Sequence, residues 1–218
     1  MRDAGVCAGE LVVDIGAGTG MLTRALVTAG ARVVAVEPDR RSAERLRRFC
    51  PRATVVEADV FQVEWPAEPF RVVANLPFGP AAEILRSLLS RPSLPLVSLD
   101  AIVEWDLAAK RARLWPSTAL GAVWGAWWEV AVVRRIAPQE FVPVPSVAGG
   151  VFRARRRSEP LVPVRDAVRF EEYVRRGFRL RRDARELDPH AWADLFTGRK
   201  PSAATRTVHG MNRRRSSR

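Results

Sequence analysis

The sequence predicts an α/β protein: a doubly wound parallel sheet with a small helical unit at its C-terminal end. Three observations predict it. The apolar run Leu11-Val12-Val13-Asp14-Ile15 feeds directly into Gly16-Ala17-Gly18-Thr19-Gly20, as a buried parallel strand does when it turns into a helix. Strand-like apolar runs then alternate with segments of helical spacing, the order that winds a parallel sheet. Composition shifts after Arg153, where Arg155-Arg156-Arg157, Glu159-Pro160 and Pro163 read as a linker into helical patterns over 166–198.

The elements follow in order. Leu22, Leu26 and Ala29 line one face of a helix over Thr19 to Thr28, and Gly30 suits its stop. Val33 to Val36 is a second strand ending at Glu37. Asp39 caps a helix reaching Phe49, with Ala43, Leu46 and Phe49 on one face. Thr54 to Glu57 and Phe70 to Ala74 are the third and fourth strands, leading to Asp59 and Asn75. Pro80 to Leu89 is helical with Pro80 in its first turn. Leu96 to Val103 reads as a fifth strand, Glu104 to Arg113 as a helix, and Trp115 to Trp127 as a loop. Glu129 to Ile136 and Gly150 to Arg155 read as two late strands joined through Phe141-Val142-Pro143-Val144-Pro145.

Composition narrows the function classes. At 218 residues and 47% hydrophobic, the chain can bury a full domain core. No apolar run approaches the roughly 20 residues of a membrane span, and no secretory signal is legible, so a cytoplasmic protein without a membrane partner, most simply a monomer, is expected. Cys7 and Cys50 lack metal or redox spacing, and His190 and His209 are the only histidines; no metal site is expected. The net charge is +12, the isoelectric point is about 11.3, and all but two of the 36 basic residues are arginine. Such an excess favours a polyanionic partner through counterion release, and arginine suits forked phosphate contacts and stacking on bases.

The first candidate site lies along the strand ends. Gly16, Gly18 and Gly20 follow G-x-G-x-G rather than the G-x-G-x-x-G of dinucleotide sites. Asp14 can hold the loop or a cationic amino group. Glu37 can accept from two ribose hydroxyls, and Asp59 from an adenine amine. With Ala17, Pro38, Val60 and Asn75 they form the candidate cofactor-binding set. Carboxylates at these strand ends suit S-adenosylmethionine better than a dinucleotide, whose pyrophosphate would need the helix N-terminus.

The second candidate site is Asn75-Leu76-Pro77-Phe78. An adenine amine is a poor nucleophile because its lone pair is delocalised into the ring. Two acceptors gripping its N–H bonds draw the nitrogen toward tetrahedral geometry. The Asn75 side-chain oxygen can be one and the Leu76 carbonyl, held by Pro77, the other. Phe78 can stack on the ring, and positioning then does more than a strong base would. A base in folded RNA must leave its stack to reach such a pocket. Phe141 is a candidate second platform for it. Arg153, Arg155 and Arg156 are candidate contacts to the RNA backbone.

The stretch Asp14 to Gly20, with Glu37, Asp59, Asn75-Leu76-Pro77-Phe78 and Phe141-Val142-Pro143-Val144-Pro145-Ser146-Val147, resembles the erythromycin-resistance (Erm) rRNA adenine N6-methyltransferases in order and spacing. Residues 104–157, with Trp127-Trp128-Glu129, resemble the actinobacterial branch. The resemblance implies a Rossmann-like, S-adenosylmethionine-dependent methyltransferase sheet over residues 1–157. It also implies a small helical RNA-contacting domain over 158–198, ahead of a basic tail over 199–218 expected to be disordered. It implies methylation of an adenine N6 in the peptidyl-transferase loop of 23S rRNA, and with it resistance to macrolides, lincosamides and streptogramin B. Two departures stand out. The family's N-terminal Gln-Asn/His-Phe-Leu segment does not precede the first strand: either the start is misplaced, or the chain is trimmed, or the cofactor pocket is more open than usual. Ala148 stands where the family has Asp.

Two rival functions keep the same fold. A small-subunit (16S) rRNA adenine dimethyltransferase shares the chemistry, but more often has Tyr at the Phe78 position and a run of prolines where Pro143-Val144-Pro145 stands. A non-catalytic RNA-binding or ribosome-assembly factor would not need Asn75 and Asp59. A nicotinamide oxidoreductase is disfavoured by the glycine spacing.

Overall fold

The computed structural model describes residues 4–113 and 117–199. Its strands are β1 (Leu11–Ile15), β2 (Arg32–Val36), β3 (Thr54–Val56), β4 (Phe70–Asn75), β5 (Leu96–Glu104), β6 (Trp128–Ile136) and β7 (Gly149–Arg156). Its helices are α1 (Met21–Thr28), α2 (Arg40–Phe49), α3 (Ala81–Leu89), α4 (Trp105–Ala112), α5 (Ala119–Trp124), α6 (Ala167–Leu180) and α7 (Pro189–Phe196).

The strands form one sheet in the order β3-β2-β1-β4-β5-β7-β6. The first five are mutually parallel. β1 and β4 are neighbours although β2 and β3 lie between them in sequence. That reversal of strand order opens a crevice at the carboxyl ends of the strands, where open α/β sheets bind ligands. The sheet is mixed rather than wholly parallel, because β7 runs antiparallel to β5, with Ala101 opposite Phe152.

Apolar burial explains the order of the layers. Val12, Leu26, Val33 and Val73 close one cluster, and Ala17, Ala35, Leu46 and Cys50 another. Asp39 caps α2 by accepting from the Ser42 N–H at 2.8 Å, which fixes where that helix begins.

A polar seam crosses the sheet at β4, β5 and β7. Asp100 is buried and accepts from Arg153 Nε at 2.6 Å and Arg155 at 2.7 Å. Arg71 lies 3.8 Å from the same carboxylate and donates to Ser98 Oγ at 2.9 Å, the Gly5 carbonyl at 2.9 Å, Glu10 at 2.7 Å and the Ala4 carbonyl. The seam ties residues 4–10 to the sheet. Arg156 donates to the carbonyls of Pro92, Leu94 and Leu96, holding the turn before β5.

Two compact units are present. Among the described residues, one holds 4–112 together with Glu129–Arg156; the other holds Arg113, 117–128 and 157–199. The second unit is therefore discontinuous, whereas the sequence suggests a contiguous domain over 158–198. Its mid-chain contribution includes α5, in a stretch that reads from sequence as a loop. Thr118 caps α5 by accepting from Gly121 N–H at 3.0 Å, and Gly121 and Gly125 hide the helix because glycine lowers helix propensity. Within this unit Trp127 donates to the Val162 carbonyl at 2.8 Å and packs edge-on to Phe170. Phe178 stacks on Trp192 with 5.5 Å between ring centroids. Gly177 lies within α6 because a Cβ there would collide with the Trp192 ring. Trp115 and Pro116 of the expected loop, and residues 200–218 of the expected tail, lie outside the described residues.

Candidate functional site

The strand order brings the two sequence motifs together. Gly16, Gly18 and Gly20 all have positive φ, from 53° to 80°, a region closed to most side chains. Gly20 has a second reason: a Cβ would lie 2.6 Å from Leu46 Cδ2, so α2 sits directly against the loop. Gly16 marks the junction with the acceptor motif, because a Cβ there would stand 3.4 Å from Pro77 Cδ. The Gly16 and Ala17 amides donate to the Val36 carbonyl at 2.9 and 3.2 Å, binding the loop to β2. At Gly18 the nearest atom to a built Cβ is the Gly16 carbonyl oxygen at 3.8 Å, so a ligand can approach this backbone closely.

Asp14 and Glu37 line the same loop. Asp14 is buried and accepts from Thr23 Oγ1 at 2.6 Å. Burial pushes its carboxyl up from 3.8 to about 6; the Thr23 hydrogen bond opposes this, and the Glu37 charge adds to it. Glu37 accepts from Gly18 N–H at 2.7 Å through one oxygen and from Asp39 N–H at 3.0 Å through the other. Each oxygen keeps a second lone pair. Glu37 therefore braces the glycine loop and the start of α2, a role that its place at a strand end does not reveal. Asp59 is exposed and caps the short turn Val60–Gln62 by accepting from Phe61 N–H at 2.9 Å. Pro38 is exposed, Ala17 buried and Val60 half-buried.

The acceptor motif begins at the end of β4. Asn75 is the one exposed residue of that strand, and among the described residues the Asn75 carboxamide has no hydrogen-bond partner. Leu76 is buried, and its N–H donates to the Ile102 carbonyl at 3.0 Å, aligning the motif with β5. Phe78 meets Phe141 edge to face, with 6.1 Å between ring centroids and 79° between planes. Gly149 makes room for Phe141, since a Cβ there would lie 2.6 Å from Phe141 Cζ. Val142 and Val144 beside it are exposed.

Three expected residues also have partners within the protein. Arg153, Arg155 and Arg156 are expected from sequence to contact RNA, but their guanidinium groups are engaged inside the protein. Arg153 and Arg155 neutralise buried Asp100, and Arg156 holds three loop carbonyls. A buried carboxylate requires such partners, so Arg153 and Arg155 have a structural role, with 23% and 33% of their side-chain surface still in solvent. Two contributors escape sequence reasoning. Thr23 lies in the first turn of α1 and gives no motif signal. The Gly149-Gly150 pair after the proline motif is visible in sequence, but nothing there says which ring fills its space.

Residues 6–187 match the family described as ribosomal RNA adenine dimethylase. The chain belongs to that family. Among curated relatives, it is 38% identical over 165 residues to the mycinamicin-resistance protein MyrB of Micromonospora griseorubida, covering 75% of this chain and 52% of that protein. It is 44% identical over 161 residues to ribosomal RNA small subunit methyltransferase A of Leifsonia xyli subsp. xyli, covering 67% of this chain and 56% of that protein. This family member thus spans little more than half the length of these curated relatives. The crystal structure of the 23S rRNA methyltransferase ErmE superposes with a TM-score of 0.73 at 28% identity, covering 94% of this chain and 88% of that one. The Rossmann-like methyltransferase sheet expected from sequence is therefore the fold of this family member. Among the described residues no helix is long and apolar enough to cross a membrane, and no group of three or more His, Cys, Asp or Glu could hold a metal.

Proposed function

We propose that this protein transfers a methyl group from S-adenosylmethionine to the N6 amine of an adenine in 23S rRNA, at the peptidyl-transferase loop, and thereby confers macrolide-type resistance. The observation that carries the reading is the close approach of Gly16 and Pro77. It sets a donor-type loop directly against an acceptor-type motif, so one pocket edge serves both substrates.

The carboxylates fit the donor. Asp14, Glu37 and Asp59 are acidic, which favours a sulfonium and ammonium compound and repels a pyrophosphate. Asp14, half-protonated near pH 6 without a cation, gains a partner when an ammonium group binds. Glu37 uses its remaining lone pairs for ribose hydroxyls while bracing Gly18. The cofactor supplies an electrophilic methyl group on sulfur.

This chain's residues do the rest. The Asn75 oxygen and the Leu76 carbonyl accept the two adenine N–H bonds and orient the nitrogen lone pair toward the donor. Phe78 and Phe141 fix the plane of the extruded base. Pre-organised acceptors and correct approach, rather than a strong base, lower the barrier.

The 16S reading is the second one, and the 44% identity to a small-subunit methyltransferase favours it. Phe78 and the valine between Pro143 and Pro145 support the 23S reading, as does the likeness to ErmE. Incubating the chain with labelled S-adenosylmethionine and either free 23S or free 16S rRNA, then mapping the modified adenine, tests both. Label in 23S is the expected outcome. Label in 16S alone moves the protein to the second reading, and label in neither, with the donor still bound, leaves a binding-only role.

A further inference from the structure

One of the molecule's densest runs of basic residues lies on α2, a helix the proposed chemistry uses only to support the glycine loop. Six arginines and one glutamate fall between residues 40 and 52. Two of the six are engaged: Arg40 with Glu44 at 3.0 Å, and Arg47 with Glu57 at 3.1 Å. Arg41, Arg45, Arg48 and Arg52 are exposed, and among the described residues none of them forms an ion pair or hydrogen bond. Arg41, Arg45 and Arg48 recur at four- and three-residue intervals, so they share one face of the helix. Phe49 follows Arg45 by one turn and is 63% exposed, an unusual place for a large aromatic ring.

Helix energetics do not account for this arrangement. Like charges one turn apart destabilise a helix by a few tenths of a kcal/mol per pair. Beyond the N-cap Asp39, the first turn of α2 holds no acidic residue, and Arg40 and Arg41 stand at the positive end of the helix dipole, where cations are unfavourable and Asp39 and Glu44 offset only part of the cost. Only Arg47 and Arg48, in the last turn, sit where the dipole favours them. An external anion would offset these costs.

Position matters as much as charge. α2 starts shortly after Glu37, at the carboxyl edge that carries the candidate active site, and runs from there along the flank beside β2 and β3. At about 1.5 Å of rise per residue, Arg41 to Arg48 spans about two turns of the helix, enough length to meet more than one phosphate of a strand.

We propose that the Arg41-Arg45-Arg48 face of α2, with Phe49, is an RNA-backbone docking surface that holds a strand leading away from the target adenine. The inference rests on the RNA-methylation reading above and deepens it, by assigning the sustained grip on the polyanion to this helix rather than to the Arg153–Arg156 cluster. Arginines contact successive phosphates, and Phe49 stacks on an unpaired base.

The test compares the full chain with an Arg41→Gln/Arg45→Gln/Arg48→Gln variant, in which glutamine keeps helix propensity and much of the side-chain length. The probe is a transcribed 23S rRNA fragment containing the target loop. The slope of log K against log salt concentration should flatten by about 2 to 3, at roughly 0.7–0.9 for each phosphate no longer neutralised. KM for RNA should rise about tenfold or more at moderate salt, while kcat at saturating RNA and donor affinity stay unchanged. Phe49→Ala should weaken binding several-fold with no change in slope. Circular dichroism of the triple variant checks that α2 remains folded.

An unchanged slope and KM in a folded triple variant, with the unmodified chain binding and methylating RNA, overturns the surface and leaves the functional reading intact. An unmodified chain that binds donor but shows no salt-dependent RNA binding overturns both. Equal affinity of the unmodified chain for poly-glutamate and the RNA fragment, reduced equally in the variant, overturns RNA as the occupant in favour of an acidic protein.

Discussion

Phe78 and Phe141 meet edge to face with 6.1 Å between their centroids, although one follows β4 and the other precedes β7. Neither strand pairs with the other; β5 lies between them. The pair is held from behind by Gly149, whose missing side chain is filled by the Phe141 ring. Two rings at a right angle form a corner, and a planar base fits a corner by stacking on one ring and abutting the other.

Phe141→Ala should therefore lower kcat/KM for RNA by about 5- to 100-fold, the range of one base–aromatic stack at roughly 1–3 kcal/mol. Donor affinity should stay nearly unchanged, because Phe141 is not part of the loop braced by Glu37. Steady-state kinetics on an RNA fragment, with calorimetry for the donor, separates the two. A large loss of donor binding would place Phe141 in the donor pocket instead.

Asn75→Ala should abolish measurable methyl transfer, a loss of at least about 10²-fold by analogy with removing one pre-organised polar group from a transition state. The exposed carboxamide carries no structural hydrogen bond among the described residues, so the thermal midpoint should barely move. Retained activity would mean that the adenine amine is held elsewhere.

Much of this site is legible in sequence because its motifs are backbone-driven. Glycines that need positive φ and a proline that stiffens Leu76 leave marks that survive without any structure, and so does the order of strand ends. The structural role of the Arg153–Arg156 cluster is hidden for the opposite reason. A run of arginines looks solvated in sequence, and only the pairing of β5 with β7 shows Asp100 beneath Arg153 and Arg155. The brace from Glu37 to Gly18 spans two strands and leaves no periodic trace. Helix α5 is hidden by its glycines.

Glu37→Ala should weaken donor binding by about 10- to 100-fold. The carboxylate makes two charge-assisted bonds to backbone amides, each worth roughly 1.5–3 kcal/mol, and their loss frees the loop at Gly18. Loosening should appear as faster amide exchange at Gly18 and Asp39 even without donor. Unchanged exchange alongside weakened binding would confine Glu37 to direct contact with the ligand.

Asp14 supplies a pH dependence. Its carboxyl ordinarily titrates at 3.8, and burial raises that to about 6 in the folded chain. The native state thus holds this proton more tightly than the unfolded state. The resulting stability is fully present below about pH 4 and is lost as pH rises through about 6, amounting to about 3 kcal/mol. Asp14→Asn should remove that slope and raise stability at neutral pH, measured by urea unfolding from mildly acidic to mildly basic conditions. A cationic donor favours the ionised form, so donor affinity should rise as pH passes upward through about 6 in the natural chain and stay flat in the variant. A flat profile in both would show that no cation meets Asp14.

Asp100→Ala should destabilise the first unit more than any change to its partners. It leaves Arg153, Arg155 and Arg71 facing one another without their shared carboxylate. Breaking a buried pair by removing one member costs about 3–5 kcal/mol. The cost here falls at the low end, because Arg153 and Arg155 keep 23% and 33% of their side-chain surface in solvent, which screens their repulsion. Arg153→Ala should cost less, since Arg155 and Arg71 still neutralise Asp100. Neither change should alter the salt slope of RNA binding by itself, so urea midpoints and salt titrations on the same two variants distinguish a structural seam from a nucleic-acid contact. A flattened salt slope in a fully stable Arg153→Ala protein would return that residue to the RNA surface.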